Sequence, residues 1–149
     1  MKRIQLIPID TTNILTAFDL ELTDTQKVYV SHPMRSLALG YAYRDRCAPF
    51  GVYDGETMVG YAMVIYDHQE KAYTLWHFMI DKNLQGRGYG KAALRAVLDY
   101  ISTGPFGDAN RVLLTCNPDN AGALKLYSAA GFEATGRTSG IEIELELYL

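Results

Sequence analysis

Phe78-Met79-Ile80-Asp81-Lys82-Asn83-Leu84-Gln85-Gly86-Arg87-Gly88-Tyr89-Gly90-Lys91 is the stretch on which the fold turns. An apolar, β-rich run ends at Ile80. Beyond the glycines, Leu94, Val97, Leu98 and Ile101 recur at i, i+3, i+4 and i+7, one face of a helix. Strand, glycine turn and helix therefore follow in order. Glycine lets a backbone turn tightly and approach a ligand with no Cβ in the way. The first amides of a helix have no internal partner, and the helix dipole favours negative charge beside them. A pyrophosphate suits that place, and Arg87 and Lys91 add positive charge.

Three readings of this turn compete. One is a loop with structural duty only. A P-loop is excluded, because G-x-x-x-x-G-K-[ST] needs glycine at position 85 and a hydroxyl at 92, where the chain has Gln85 and Ala92. A dinucleotide fingerprint is formally present as Gly88-x-Gly90-x-x-Ala93. However, a long connection separates it from Ile80 and no first βαβ unit surrounds it.

Working outward, Ala72 to Ile80 and Thr57 to Asp67 read as strands, with His68 to Lys71 as their polar connection. Pro49 to Tyr53 is a shorter strand, joined through the Asp54-Gly55 hairpin signal. The three make an antiparallel meander. Toward the N-terminus, Arg3 to Ile9 is a first strand, and Asp10 or Thr11 caps a helix holding Ile14, Leu15 and Phe18. Ser31-His32-Pro33 starts a second helix, which carries Leu37, Leu39 and Tyr41 and ends near Arg46. Toward the C-terminus, Gly104 to Gly107 is a loop and Arg111 to Cys116 a strand. Asn120 to Ala130 is a helix stopped by Gly131, and Ile141 to Leu149 alternates as a last strand. The fold class expected is α/β (α+β): one domain over residues 1–149, with a mixed, mostly antiparallel twisted sheet flanked by about four helices.

Composition agrees. The chain has 149 residues, 48% of them hydrophobic and 21% charged, and a net charge of -3. Such a chain can fold as one globular domain. The mild negative balance offers nothing to nucleic acid or an anionic membrane and leans toward a cationic substrate. Cys47 and Cys116 form neither a zinc pattern nor a disulfide framework, so no metal site and a reducing, cytoplasmic compartment are expected. After Met1-Lys2-Arg3 the apolar stretch is too short and broken for a signal peptide, and Val59 to Tyr66 is too short to span a bilayer.

A second cluster lies downstream. Asn117-Pro118-Asp119-Asn120 precedes Ala123, Leu126, Tyr127, Gly131 and Phe132, and Ala123, Leu126, Tyr127 and Ala130 share a helix face. Taken alone, Tyr127 reads as a core aromatic. Together the two clusters resemble the GNAT superfamily of acyl-CoA-dependent N-acetyltransferases. Its phosphate motif Q/R-x-x-G-x-G/A is met by Gln85, Gly88 and Gly90. Its pattern N-x-x-A-x-x-L-Y-x-x-x-G-F is met by Asn120, Ala123, Leu126, Tyr127, Gly131 and Phe132. The resemblance covers roughly Pro49 to the C-terminus. Val59-Gly60-Tyr61, Phe78 to Asp81, and Leu126-Tyr127 through Thr135-Gly136 are further similar to bacterial spermine/spermidine acetyltransferases.

The resemblance implies direct transfer of an acetyl group from acetyl-CoA to the primary amine of a small molecule, with polyamines first among acceptors. A protein N-terminus, an amino acid or an antibiotic amine stays open, as does a non-catalytic acyl-CoA-binding module. It implies that Phe78, Met79 and Ile80 pair with the pantetheine arm and that Gly86 to Lys91, Tyr89 included, hold the pyrophosphate. It also implies that Asn120 and Ala123 line the cofactor and that Tyr127 protonates the leaving thiolate. A homodimer through C-terminal strands belongs to the same set of implications.

The base is open. Relatives use a glutamate in the region where this chain has Trp76 and His77. His77 has a suitable ordinary pKa, and a water chain is the other candidate. For the acceptor, Glu142, Glu144 and Glu146 alternate on the last strand, facing a polycation or forming the solvated outer face of an edge strand. Glu142 is the candidate for contact with the amine, and Trp76, with Tyr41, Tyr43 and Tyr53, for the pocket wall.

Overall fold

The computed structural model describes residues 3–149, so the reading of Met1 and Lys2 lies outside it. The chain opens with β1 (Ile4–Pro8) and α1 (Ile14–Phe18). The cap expected at Asp10 or Thr11 is displaced to Asn13, and no side chain caps the helix there. Asn13 Oδ1 accepts from the Asp10 amide at 2.9 Å, and Asp10 Oδ1 accepts from the Thr12 amide at 2.8 Å. These short polar side chains build a turn from groups that would otherwise serve the helix.

α2 (Pro33–Ala42) starts where the sequence put it, with His32 accepting from the Met34 amide at 3.0 Å and proline in the first turn. It stops at Ala42 rather than near Arg46. The Arg46 amide instead closes a turn on the Tyr43 carbonyl, and strand begins at Cys47.

β2 (Cys47–Asp54), β3 (Thr57–Asp67) and β4 (Ala72–Ile80) form the expected meander. α3 (Tyr89–Ser102), β5 (Arg111–Cys116), α4 (Ala121–Ala129), β6 (Glu133–Ser139) and β7 (Glu142–Tyr148) complete a single seven-stranded sheet ordered β1-β2-β3-β4-β5-β7-β6. β6 was not expected. Its sequence, Glu-Ala-Thr-Gly-Arg-Thr-Ser, is polar and mostly exposed, so no apolar alternation marks it. Its presence corrects the edge-strand reading of the last strand: β7 lies between β5 and β6, paired on both sides.

Two cores flank the sheet. On one face Leu94, Val97 and Ile101 of α3 pack with Tyr66, Tyr73, Val112 and Leu114 of the sheet. On the other, Ala17 of α1 packs with Tyr61, Met63 and Met79.

Two irregularities of β4 position the site. Opposite Met63 stands His77 and opposite Val64 stands Leu75, so Trp76 has no partner and the strand bulges there. The bulge exchanges the faces: Tyr73 and Leu75 belong to the α3/α4 core before it, and Phe78 and Ile80 join that core after it. In addition, β4 and β5 run parallel but pair only at Tyr73–Val112 and Thr74–Leu113. Beyond those pairs they part.

Candidate active site

Where β4 and β5 part, a cavity of about 670 Å³ opens. The segment Leu75 to Ile80 forms one side, and Leu114, Thr115 and Cys116 form the other. The unpaired backbone edges face each other across a gap that the sheet itself does not fill, which leaves polar groups for a ligand to meet.

The glycine turn closes one end. A short helical turn at Lys82–Leu84 leads into it, capped by Asp81. Gly86 and Gly88 have φ of +75° and +86°, and an added Cβ at either would meet nothing within 4 Å. Glycine is required here by backbone conformation rather than by crowding. Gly88 starts α3 without a side-chain cap. The amides of Gly86, Arg87, Gly88, Gly90 and Lys91 find no acceptor among the described residues. Arg87 and Lys91 are exposed, with no carboxylate partner in the described structure.

Of the residues that the sequence assigned to a cofactor, Phe78, Met79, Ile80, Gln85, Gly86, Gly90, Asn120 and Ala123 line the cavity. Arg87, Gly88, Tyr89 and Lys91 are not in that lining. The first two lie on the open glycine turn, and Lys91 lies in the first turn of α3. The Tyr89 side chain goes elsewhere, its hydroxyl donating to Asp54 Oδ2 at 2.6 Å and pinning the start of α3 to the β2–β3 hairpin. Gln85 spends its side chain on protein, donating to the Ile80 carbonyl at 2.9 Å and pairing with Gln26. Asn120 Oδ1 caps α4 by accepting from the Ala123 amide at 3.3 Å.

Tyr127, on α4, lines the same cavity as Cys116 and is 8% exposed. Its ring stands edge-on to Phe132, 5.7 Å between centroids. Among the described residues its hydroxyl has no hydrogen-bond partner. Burial, and then the neighbouring Cys116 thiol, push its pKa well above that of an ordinary phenol, so it holds its proton throughout the neutral range.

His77 also lines the cavity, 6% exposed, with its ring 4.9 Å from that of Tyr61. Burial chiefly, with a contribution from His32, lowers its pKa to about 4, opposed by a hydrogen bond from the imidazole to the Ser31 backbone carbonyl. The imidazole is therefore neutral at pH 7, and its buried Nε2 has no partner among the described residues. Trp76, 38% exposed on the bulge, reaches the cavity and stacks edge-on with Tyr43.

The three glutamates of β7 separate. Glu146 pairs with Arg111 at 2.8 Å, and Glu144 with Arg137 at 2.7 Å and the Thr135 hydroxyl at 2.9 Å. Glu142 has no ion pair among the described residues and lines the cavity. Sequence reasoning passed over Arg35, Ser36 and Gln26, which reach the site from α2 and the loop before it. No motif marks them, because they meet the cavity only through tertiary packing. No helix among the described residues is long and apolar enough to cross a membrane.

Comparison with known proteins adds to this geometry. Residues 14–132 match the model of the Acetyltransferase (GNAT) family. Over 94 residues the chain is 33% identical to the probable spermine N(1)-acetyltransferase of Bacillus subtilis subsp. natto, an alignment covering 59% of this chain and 60% of that protein. It is 34% identical over 88 residues to N-alpha-acetyltransferase RimI of Mycobacterium tuberculosis, covering 58% of this chain and 52% of the other. The matched stretch thus spans little more than half the length of these relatives. The crystal structure of spermidine N-acetyltransferase from Vibrio cholerae in complex with CoA and spermine superposes with a TM-score of 0.76 at 17% identity, covering 98% of this chain and 94% of that one. At such identity the likeness is one of fold.

Proposed function

The chain belongs to the GNAT acetyltransferase family, and on that premise we propose that it transfers the acetyl group of acetyl-CoA directly to the primary amine of a small molecule. The observation that carries this reading is that the parted edges of β4 and β5, the glycine turn and Tyr127 all border one cavity.

Acetyl-CoA supplies the reactive thioester. The chain's own residues bind, orient and move protons. The free backbone of Phe78 to Ile80 offers strand-like pairing to the pantetheine arm, and one amide there serves the developing oxyanion. Loss of one such donor costs about 10²–10³ in rate in other systems. The open amides between Gly86 and Lys91, together with the charges of Arg87 and Lys91, take the pyrophosphate. Asn120 and Ala123 line the far side of the cofactor. Tyr127, kept protonated by its burial, donates to the departing sulfur.

An alkyl ammonium, with a pKa of about 10.4, must lose a proton before it attacks. His77 is neutral and has a free nitrogen, but its lowered pKa makes it a weak sink for that proton. Water through the open cavity carries the proton away, while His77 holds the amine in line.

The names of the Bacillus relatives support polyamines as one acceptor class, and the unpaired Glu142 suits an ammonium group of any acceptor. An N-terminal α-amine is supported by the name of the Mycobacterium relative. A panel of amines with acetyl-CoA, scored by release of free thiol, tests the reading. Amine-dependent release supports it, and a protein that binds CoA without any such release is a binding module instead.

A further inference from the structure

We infer that the acceptor is an amine that also carries a carboxylate, its ammonium end drawn to Glu142 and its carboxylate to Arg35. This rests on the proposed reading that the cavity holds the acceptor. It goes further by naming the acceptor's second functional group and the residue that selects it.

The charges of the cavity carry the inference. Among the described residues that line it, Arg35 and Glu142 are the charged ones, one cation and one anion. They come from different elements, Arg35 from α2 and Glu142 from the start of β7. Glu142 precedes Ile143, which pairs with Cys116 across the β5–β7 ladder, so it enters the cavity beside the end of β5. Arg35 lines the wall formed by α2, where its one polar contact is a long 3.5 Å approach to the Ser31 hydroxyl. It has no carboxylate partner among the described residues, although Arg111 and Arg137 each have two. A guanidinium is a planar fork that matches a carboxylate with two parallel hydrogen bonds.

The wall behind Arg35 is built rather than incidental. The adjacent Ser36 is 5% exposed and donates to the Tyr61 hydroxyl at 2.7 Å, which fixes this turn of α2 against β3. Tyr61 in turn stands edge-on to His77. The buried His77 Nε2 lines the same cavity and lacks a partner among the described residues. A buried nitrogen without a hydrogen bond is costly unless a ligand supplies one. A cation, a neutral hydrogen-bonding group and an anion in one cavity suit a zwitterion. A polyamine brings several ammonium groups to a site with one carboxylate and sets like charge against Arg35.

The test compares matched acceptors of equal chain length: an ω-amino acid such as γ-aminobutyrate, the diamine putrescine and the plain alkylamine butylamine, with neighbouring lengths and α-amino acids alongside. Each is measured for acetyl-CoA-dependent thiol release by the wild type, by Arg35→Gln and by Arg35→Lys. Each is also measured calorimetrically for binding to the protein–CoA complex. The expected result is that an amino-carboxylate surpasses its diamine and alkylamine partners in kcat/KM by about 10–100-fold, the worth of a hydrogen bond to a charged group. Arg35→Gln should erase that preference chiefly through KM, and Arg35→Lys should restore part of it.

A diamine or polyamine that equals or surpasses the amino-carboxylates in the wild type overturns the inference. So does an Arg35→Gln protein that keeps the preference. If no amine releases thiol, the acetyl-transfer reading fails. Calorimetry still decides the inference in that case: tighter binding of amino-carboxylates than diamines, lost in Arg35→Gln, upholds it, and equal binding overturns it.

Discussion

Gln26 and Gln85 exchange two side-chain hydrogen bonds, Gln26 Nε2 to Gln85 Oε1 at 2.9 Å and Gln85 Nε2 to Gln26 Oε1 at 2.7 Å. Gln85 opens the glycine turn, and Gln26 belongs to the loop between α1 and α2. The same two segments are stitched again where the Glu21 amide donates to Asp81 Oδ2 at 3.0 Å and the Lys82 amide to the Glu21 carbonyl at 2.7 Å. The loop between α1 and α2 and the glycine turn therefore share one support.

Gln26→Ala removes both bonds of the pair and leaves Gln85 its bond to Ile80. A loss of about 1 kcal/mol is expected, which lowers the melting temperature by about 2–4 °C in a chain of this size. The KM for acetyl-CoA should rise as the turn loosens. A melting curve and a KM indistinguishable from wild type would show the pair to be idle.

Gly88→Ala and Gly60→Ala should fail in different ways. Gly88 has φ of +86° and open space around an added Cβ, so alanine meets backbone strain of about 1–2 kcal/mol at the glycine turn. A Cβ on Gly60 would collide with the Met79 carbonyl oxygen and force β3 and β4 apart. The Gly88 variant should stay folded and bind CoA several-fold more weakly. The Gly60 variant should lose melting temperature. A Gly88→Ala protein with wild-type affinity for CoA would contradict the role given to the turn.

His77 supplies a pH dependence. Its pKa is near 4 in the folded chain, below the ordinary value of 6.5. Between those values the unfolded chain binds a proton that the folded chain does not. Its contribution to stability is therefore full above pH 6.5, declines as pH falls toward 4, and changes no further below that. The decline amounts to at most about 3 kcal/mol. Denaturant titrations at pH 7 and pH 4.5 should show a smaller drop for His77→Phe, which keeps a ring against Tyr61 without the titrating nitrogen. Equal drops in the two proteins would refute the assignment.

Arg111 joins Glu146 of β7 to Glu70 of the β3–β4 connection, and Glu70 also meets Arg137 of β6. This network bridges the two halves of the sheet at the end where β4 and β5 are still paired. Arg111→Met leaves Glu146 without its cation and Glu70 with Arg137 alone, and should cost about 1–2 kcal/mol, between the values of exposed and buried pairs. If Glu146→Gln on top of Arg111→Met costs as much as Glu146→Gln alone, the residues are not coupled.

The meander and the strand–turn–helix unit were legible because their signals are local. Thr57–Asp67, Ala72–Ile80 and Arg111–Cys116 have the bounds that their apolar runs suggest. β6 was illegible because the polar run Glu133–Ser139 is held only by its pairing with β7. That omission also made β7 read as an edge. The glycine turn announced itself through glycines that the backbone requires. By contrast, the sequence could not tell that Gln85 turns inward to Gln26, that Tyr89 reaches Asp54, or that Glu144 and Glu146 are neutralised while Glu142 is not. Arg35 carries no motif, and its place at the cavity comes from the packing of α2 on β3 through Ser36 and Tyr61.

The most direct measurement is the release of free thiol from acetyl-CoA in the presence of a panel of primary amines, with the wild type and Tyr127→Phe side by side. The account predicts amine-dependent release by the wild type. At saturating amine it predicts a fall in turnover of about 10²-fold or more in a Tyr127→Phe protein that still folds and still binds CoA. No amine-dependent release from a CoA-binding wild type, or undiminished turnover without the phenolic hydroxyl, would contradict it.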